Sequence, residues 1–178
     1  MTTATLSAAR RQAPLRRAFA DDPTKAISIK HVTSETGTHT DEWHGRIVAP
    51  DFPGTTWDYG IDAKVGGDDD LPNPGHLLCA ALAACLESTT RIVADHLGIE
   101  IEDLTVDVVG DVDVRGCLAL DRTVRPGFRR IDAEISLRTA PGTDDTLVEL
   151  LLGQVDALCV TLDTIRHGVQ VDLTSTVA

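Results

Sequence analysis

Cys85 and Cys159 are the side chains best suited to chemistry in this chain of 178 residues. A thiolate is a strong nucleophile, and two thiols that a fold brings together can reduce another molecule by closing to a disulfide. Cys85 ends the run Asn73-Pro-Gly-His-Leu-Leu-Cys-Ala-Ala-Leu-Ala-Ala-Cys85, and Cys159 follows a second apolar stretch near the C-terminus. A cysteine on an apolar stripe also serves as a small hydrophobe, so redox chemistry stands beside plain core packing at both positions. Cys79, about 120° from Cys85 around an ideal helix, and Cys117, on an alternating segment, read as packing residues. Neither a CxxC pair nor a Cys/His spacing suited to zinc is present.

The element that carries Cys85 must be a helix over Asn73–Gly98. Asn73 can cap the first free N–H groups, Pro74 suits the first helical position, and Gly98 can take the left-handed conformation that ends a helix. Between them Leu77, Ala81, Cys85, Thr89, Ile92 and His96 form one stripe, with Leu82, Leu86, Val93 and Leu97 beside it. Polar and charged residues, among them Glu87, Arg91 and Asp95, interrupt the segment, and no uninterrupted run of about 20 apolar residues occurs, so no membrane span is expected. Cys159 follows a helical period over Thr143–Leu158, through Leu147, Leu150, Leu151, Val155 and Leu158.

The rest alternates with the period of strands. Ala26–Thr33, Trp43–Val48 and Thr55–Ile61 predict three strands before the long helix, with Gly37 at a turn and 66–70 as an exposed loop. Leu104–Arg115 is the longest alternating run, extending toward Leu120; Arg130–Arg138 follows a turn at 125–128, and Val169–Leu173 predicts a last strand. Runs of strands separated by a few helices indicate an α+β architecture. One domain over 27–178 with an arm over 1–26 is expected, the arm holding a short helix around Pro14 to Phe19.

The net charge is −12. The first 25 residues carry Arg10, Arg11, Arg16, Arg17 and Lys25 against Asp21 and Asp22, a net +3, which leaves −15 for the remainder. So acidic a body repels phosphate backbones, so nucleic acid is not an expected partner. Few, irregularly spaced cysteines and no signal-peptide pattern point to the cytoplasm. His39, Asp41, Glu42 and His44 could bind a metal but read more simply as a solvated turn, and Asp68–Asp70 lacks the ligand pattern of a calcium loop. Arg115, Arg122, Arg125, Arg129 and Arg130 read as local ion-pair partners, and Glu87 with Arg91 as an exposed helical pair.

Asn73-Pro74, the small-residue run ending at Cys85, the segment Val112-Asp-Val-Arg-Gly116, the Gly127-Phe128 turn and the second thiol at Cys159 together resemble the OsmC/Ohr family, over roughly residues 27–175. The resemblance implies an OsmC-like fold: antiparallel sheets around a long central helix, in an intertwined homodimer with two active sites at the subunit interface. It also implies reduction of small organic hydroperoxides. Cys85 would attack the peroxide oxygen and become a sulfenic acid, Cys159 would condense with it to a disulfide, and a dithiol reductant such as a lipoyl group would restore both thiols. No cofactor is expected.

The attacking thiol needs a device that lowers its pKa. In the family this is an arginine from the N-terminal sheet, held by a glutamate directly after the proline of the helix motif. Here Gly75 follows Pro74, with His76 next, and 34–41 reads Ser-Glu-Thr-Gly-Thr-His-Thr-Asp without an arginine. Arg46 on the second expected strand is a possible replacement cation, and His39, His44 or His76 could assist. The proline common after the family's second cysteine is absent, the chain reading Cys159-Val-Thr, so a new helical turn could begin at once. The alternative is a non-enzymatic OsmC-like dimer that binds a hydrophobic small molecule or a protein partner.

Overall fold

The computed structural model describes residues 7–35 and 41–177, in two compact units that both draw on the long helix and on the two longest strands. Gly37 and His39 lie outside the described residues.

The first unit begins with α1 (Ala8–Asp21), which Ser7 caps, followed by a single 3-10 turn at Pro23–Ala26 capped by Asp22. A short helix was expected around Pro14 to Phe19; the helix is longer, and Pro14 lies inside it, where it supplies no N–H for the preceding turn. Three short strands, β1 (Thr33–Ser34), β2 (Gly45–Val48) and β3 (Thr56–Tyr59), form an antiparallel sheet in the order β1-β2-β3. Gly45 faces Tyr59 across the ladder, and a Cβ at position 45 would run into the tyrosine ring, so the close approach requires glycine.

One histidine ties two loops of this unit together. His44 Nδ1 lies 2.9 Å from Asp41 Oδ1 and its Nε2 lies 3.1 Å from Asp70 Oδ1, while Asp41 also accepts the N–H groups of Trp43 and His44. The hydrogen bond with Asp41, followed by that with Asp70, raises the imidazole pKa against the opposing effect of desolvation.

The long helix α2 (Pro74–Leu97) opens on a reciprocal cap: Asn73 Oδ1 accepts the His76 N–H, and His76 Nδ1 accepts the Asn73 N–H. His76 thus fills the place that Glu or Gln holds in a capping box. The helix ends where Gly98 turns left-handed at φ 71°. By length and by a mean hydropathy of 1.5 over its most apolar 18 residues, α2 is apolar enough to cross a bilayer, which its interrupted sequence did not lead us to expect. Its buried residues Leu82, Leu86, Thr90, Val93 and Ala94 form one stripe, as in a core helix, and the Thr90 hydroxyl is satisfied by Leu86 C=O at 2.8 Å.

The strands β4 (Ile101–Val112) and β5 (Phe128–Thr139) pair with each other, and the links Ala140 N–H to Glu100 C=O and Arg129 to Asp111 show that they run antiparallel. Gly110 is needed where the Phe128 ring crosses the strand, for a Cβ there would overlap the ring. The expected extension of β4 toward Leu120 does not form. Residues 113–127 are turns, with Ala119 at φ 56°, so Cys117 is exposed on a loop rather than carried on a strand. Arg115 pairs there with Asp113 and lowers that carboxylate to about 2, while Arg130 pairs with Asp132.

The second unit is completed by α3 (Asp145–Leu158), capped by Asp144, and α4 (Val160–His167). Its core combines Leu82, Leu86, Val93, Ala94 and Ile99 with Leu151, Val155 and Cys159. Two expected strands are extended chain without a ladder. Among the described residues no strand pairs with Ile27–Val32 or with Val169–Leu173, and Ile27, Ile29, Val169, Val171 and Leu173 are exposed. Alternation marks a surface fit to be half covered, but a strand forms only where backbone groups find a neighbour.

Leu151 is fully buried, so Leu151→Ala is expected to lower unfolding free energy by about 2–5 kcal/mol in urea titrations. For His44 the folded pKa is raised, so its stabilisation is complete below the unfolded pKa of about 6.5 and is lost as pH rises through the folded value. Thermal midpoints of the wild type should therefore fall from pH 6 towards alkaline pH more steeply than those of His44→Gln; parallel profiles would contradict the clamp.

Candidate active site

Cys159 owes its position to a one-residue break between two helices. Along α3, Leu151, Val155 and Cys159 recur every fourth residue and are 0, 1 and 0% exposed, so the sulfur continues a fully buried stripe. The Cys159 N–H donates to Val155 C=O at 3.1 Å and closes α3, yet its backbone is extended at φ −73° and ψ 108°. Its C=O then accepts the Asp163 N–H at 2.9 Å, the first hydrogen bond of α4. One residue is both the C-cap of α3 and the N-cap of α4.

The start of a helix leaves N–H groups without intrahelical acceptors, and an N-cap Ser, Thr, Asp or Asn ordinarily supplies an oxygen to them. Cys159 has only a sulfur and completes no side-chain cap hydrogen bond, although the N–H groups of Leu162 and Thr161 favour the charged form of its thiol. Cys85 is half-buried on α2, and the groups that act on its thiol are the Thr161 hydroxyl and N–H at that helix start, the Cys159 thiol and the Thr89 hydroxyl one turn along α2.

These surroundings split the two thiols. Burial pushes the Cys85 pKa up, but the Thr161 hydroxyl, the Thr161 N–H, Cys159 and Thr89 outweigh it, and the net shift is downward. Burial pushes Cys159 up as well, and a charged Cys85 beside it adds to the rise beyond what the N–H groups of Leu162 and Thr161 offset. The two shifts favour the thiolate at Cys85 over a thiolate at Cys159. A nucleophile with a neutral thiol at its side can be oxidised at one sulfur and resolved by the other.

The other candidates have different surroundings. The guanidinium of Arg46 on β2 holds Asp58, its cross-strand neighbour on β3, at 2.5 and 3.0 Å, with Glu35 at 3.8 Å. His44 is held between Asp41 and Asp70, and His76 closes the α2 cap. A side chain at position 75 would place its Cβ 3.0 Å from Asn73 Oδ1 and 3.3 Å from the Phe128 ring, so glycine accompanies a crowded cap. Cys79 lines a cavity of about 480 Å3 with Lys64, His76, Gly110 and Phe128. Among the described residues no cluster of three His, Cys, Asp or Glu side chains is arranged to hold a metal ion.

Thr89 and Thr161 were missed in the sequence as groups that bear on a thiol. Thr89 carried a signal, being four residues from Cys85 on its stripe. Thr161 carried one only to a reader who knew that a helix restarts at Val160, since two residues after Cys159 it would otherwise point elsewhere.

A family model described as OsmC-like protein matches residues 67–174, which include both thiols. No curated relative matches the chain. Among solved structures, an OsmC-like protein from Mycoplasma pneumoniae superposes with a TM-score of 0.61 at 15% identity, over 79% of this chain and 89% of that one. An organic hydroperoxide resistance protein from Legionella pneumophila gives 0.56 at 21% identity, over 79% and 90%. One from Elizabethkingia anophelis gives 0.57 at 18%, over 80% and 91%. At such identities these likenesses bear on the fold, which is the α+β arrangement of small antiparallel sheets and helices described above. With the family model spanning more than half its length, the chain belongs to the OsmC-like protein family.

Proposed function

We propose that the protein reduces small organic hydroperoxides by a two-cysteine cycle, with Cys85 attacking and Cys159 resolving. The observation that carries this reading is the thiol pair, whose surroundings favour the thiolate at Cys85 and the protonated thiol at Cys159. The names of the Legionella and Elizabethkingia proteins, which describe organic hydroperoxide resistance, lend it support.

In the first step the Cys85 thiolate attacks the terminal oxygen of the hydroperoxide. An S–O bond forms, the O–O bond breaks with its electron pair going to the alkoxide, and the alkoxide takes a proton to leave as alcohol. Cys85 is now a sulfenic acid, oxidised by two electrons. In the second step the Cys159 sulfur attacks Cys85, the S–S bond forms as the S–O bond breaks, and the departing hydroxide combines with the Cys159 proton as water. A dithiol such as a lipoyl group returns two electrons and two protons by thiol–disulfide exchange. The cycle needs no bound cofactor, and the sparse thiols suit a reducing cytoplasm.

The working unit in this reading is an intertwined homodimer. The support is the pair of alternating apolar segments, Ile27–Val32 and Val169–Leu173, whose exposed residues, with no strand paired to them among the described residues, fit strands that a second copy would complete. Light scattering on the eluting protein should give about twice the 19.0 kDa chain mass; a monomer at micromolar concentration would contradict it.

The chemistry is tested by mixing reduced protein with cumene hydroperoxide and measuring intact mass and free thiols. Wild type should lose two thiols to a Cys85–Cys159 disulfide, and Cys159→Ser should stop with one oxygen added at Cys85. Cys85→Ser should consume peroxide no faster than free cysteine. Equal consumption by wild type and Cys85→Ser would refute the cycle and leave a non-enzymatic member of the family that binds a small hydrophobic molecule or a partner.

A further inference from the structure

We propose that α1 is a docking helix for a second copy of this chain, with Leu15 and Phe19 at the centre of the docking face, Arg11 and Arg16 at its rim, and the acidic surface of that copy as the partner. The inference rests on the homodimer reading and goes beyond it, since α1 lies outside the residues that the family model matches.

The helix has little cover in its own chain. Its main packing contact is the 3-10 turn at Pro23–Ala26 that directly follows it, and the next six residues, Ile27–Val32, are exposed. Fourteen residues with Pro14 inside are marginal as a helix in water, so α1 draws its stability from what its apolar side meets. In helical projection Leu15 and Phe19 stand one turn apart on one side, with Arg11 and Arg16 flanking them on either edge, while Arg10 and Arg17 fall on the opposite side. Leu15 is 49% exposed. An apolar centre edged by arginines is the composition of a protein interface.

Charge identifies the occupant. Residues 1–25 carry a net +3 and the remainder −15. Among the described residues Arg10, Arg11, Arg16 and Arg17 pair with no carboxylate, whereas Lys25 of the same arm already holds Asp22 at 3.4 Å. A lipid or nucleic acid surface of negative charge would attract the arm but repel the body behind it. In a homodimer two acidic bodies are held side by side, and an arm that lays its cations on the neighbouring copy lowers the repulsion between them. The connector Ile27–Val32 spans about 20 Å when extended. Where that segment pairs with a second copy it delivers α1 to the same copy, and the tether supplies an effective concentration of about a millimolar.

The full chain carrying the photo-cross-linking residue p-benzoylphenylalanine in place of Leu15 tests the docking face. Illumination of the purified protein should give a product of twice the 19.0 kDa chain mass, with position 15 joined to a peptide rich in Asp and Glu. Arg11→Glu with Arg16→Glu should lower its yield about tenfold, as should about 0.5 M sodium chloride, because rim ion pairs are lost or screened. Arg10→Glu with Arg17→Glu makes the same change of net charge on the opposite side and should leave the yield within about twofold. Cross-linking within one chain, no cross-linking, or equal loss in the two double variants would overturn the proposal. Light scattering on the same samples separates it from the homodimer reading: a dimer without the inter-copy product removes α1 from the interface and keeps the dimer, whereas a monomer removes both. Cosedimentation with phosphatidylglycerol vesicles that depends on Arg11 and Arg16, without the inter-copy product, would overturn the proposal and give the helix to a lipid surface.

Discussion

The chemistry read from this protein depends on the break at Cys159. A continuous helix from Asp145 to His167 would satisfy the N–H groups of Val160, Thr161 and Leu162 within itself. Closing α3 on the Cys159 N–H and opening α4 on its C=O frees those donors at the point where the sulfur enters the core. Groups of that helix start act on both thiols, the fully buried Cys159 and the half-buried Cys85, yet the pKa of Cys85 is lowered and that of Cys159 raised. Burial acts on both in the same direction. The difference comes from donors, which gather at Cys85 from Thr161, Cys159 and Thr89.

The long helix was readable because every signal in it is local. Asn73, Pro74 and Gly98 mark its ends, and its apolar period is unbroken, so the described ends agree to within a residue. The α+β order and the two longest strands followed from period-two alternation in the same way. Failures occurred where a neighbour decides the outcome. Ile27–Val32 and Val169–Leu173 alternate as well as any strand, but hydrogen bonds to a partner are not encoded in the alternation. The run towards Leu120 broke for another reason: Asp113 and Asp121 each bind Arg115, and Asp121 also takes the N–H of Thr123, so side chains fold the backbone into turns.

The candidate site was legible in its sulfurs and not in its donors. Cys85 and Cys159 stand out by motif, whereas the importance of Thr161 depends on a helix break that contains neither glycine nor proline. Arg46 drew attention as a strand cation, but strand pairing places Asp58 opposite it, which only the register reveals. His44 and His76 likewise looked free in the sequence and are engaged by Asp41, Asp70 and Asn73. Charged and imidazole groups are easily singled out because they can do chemistry alone; hydroxyls and backbone donors act only where geometry gathers them.

The central claim is an order of ionisation: Cys85 first, with Cys159 kept protonated beside it. Carbon-13 labelling of the cysteine Cβ atoms reports each thiol separately, and titrating their resonances in the reduced protein tests that order directly. The expected result is a Cys85 resonance that moves below the pH at which free cysteine ionises, and a Cys159 resonance that moves above it. Cys159 ionising first, or both thiols titrating as free cysteine does, would contradict the assignment of nucleophile and resolving thiol.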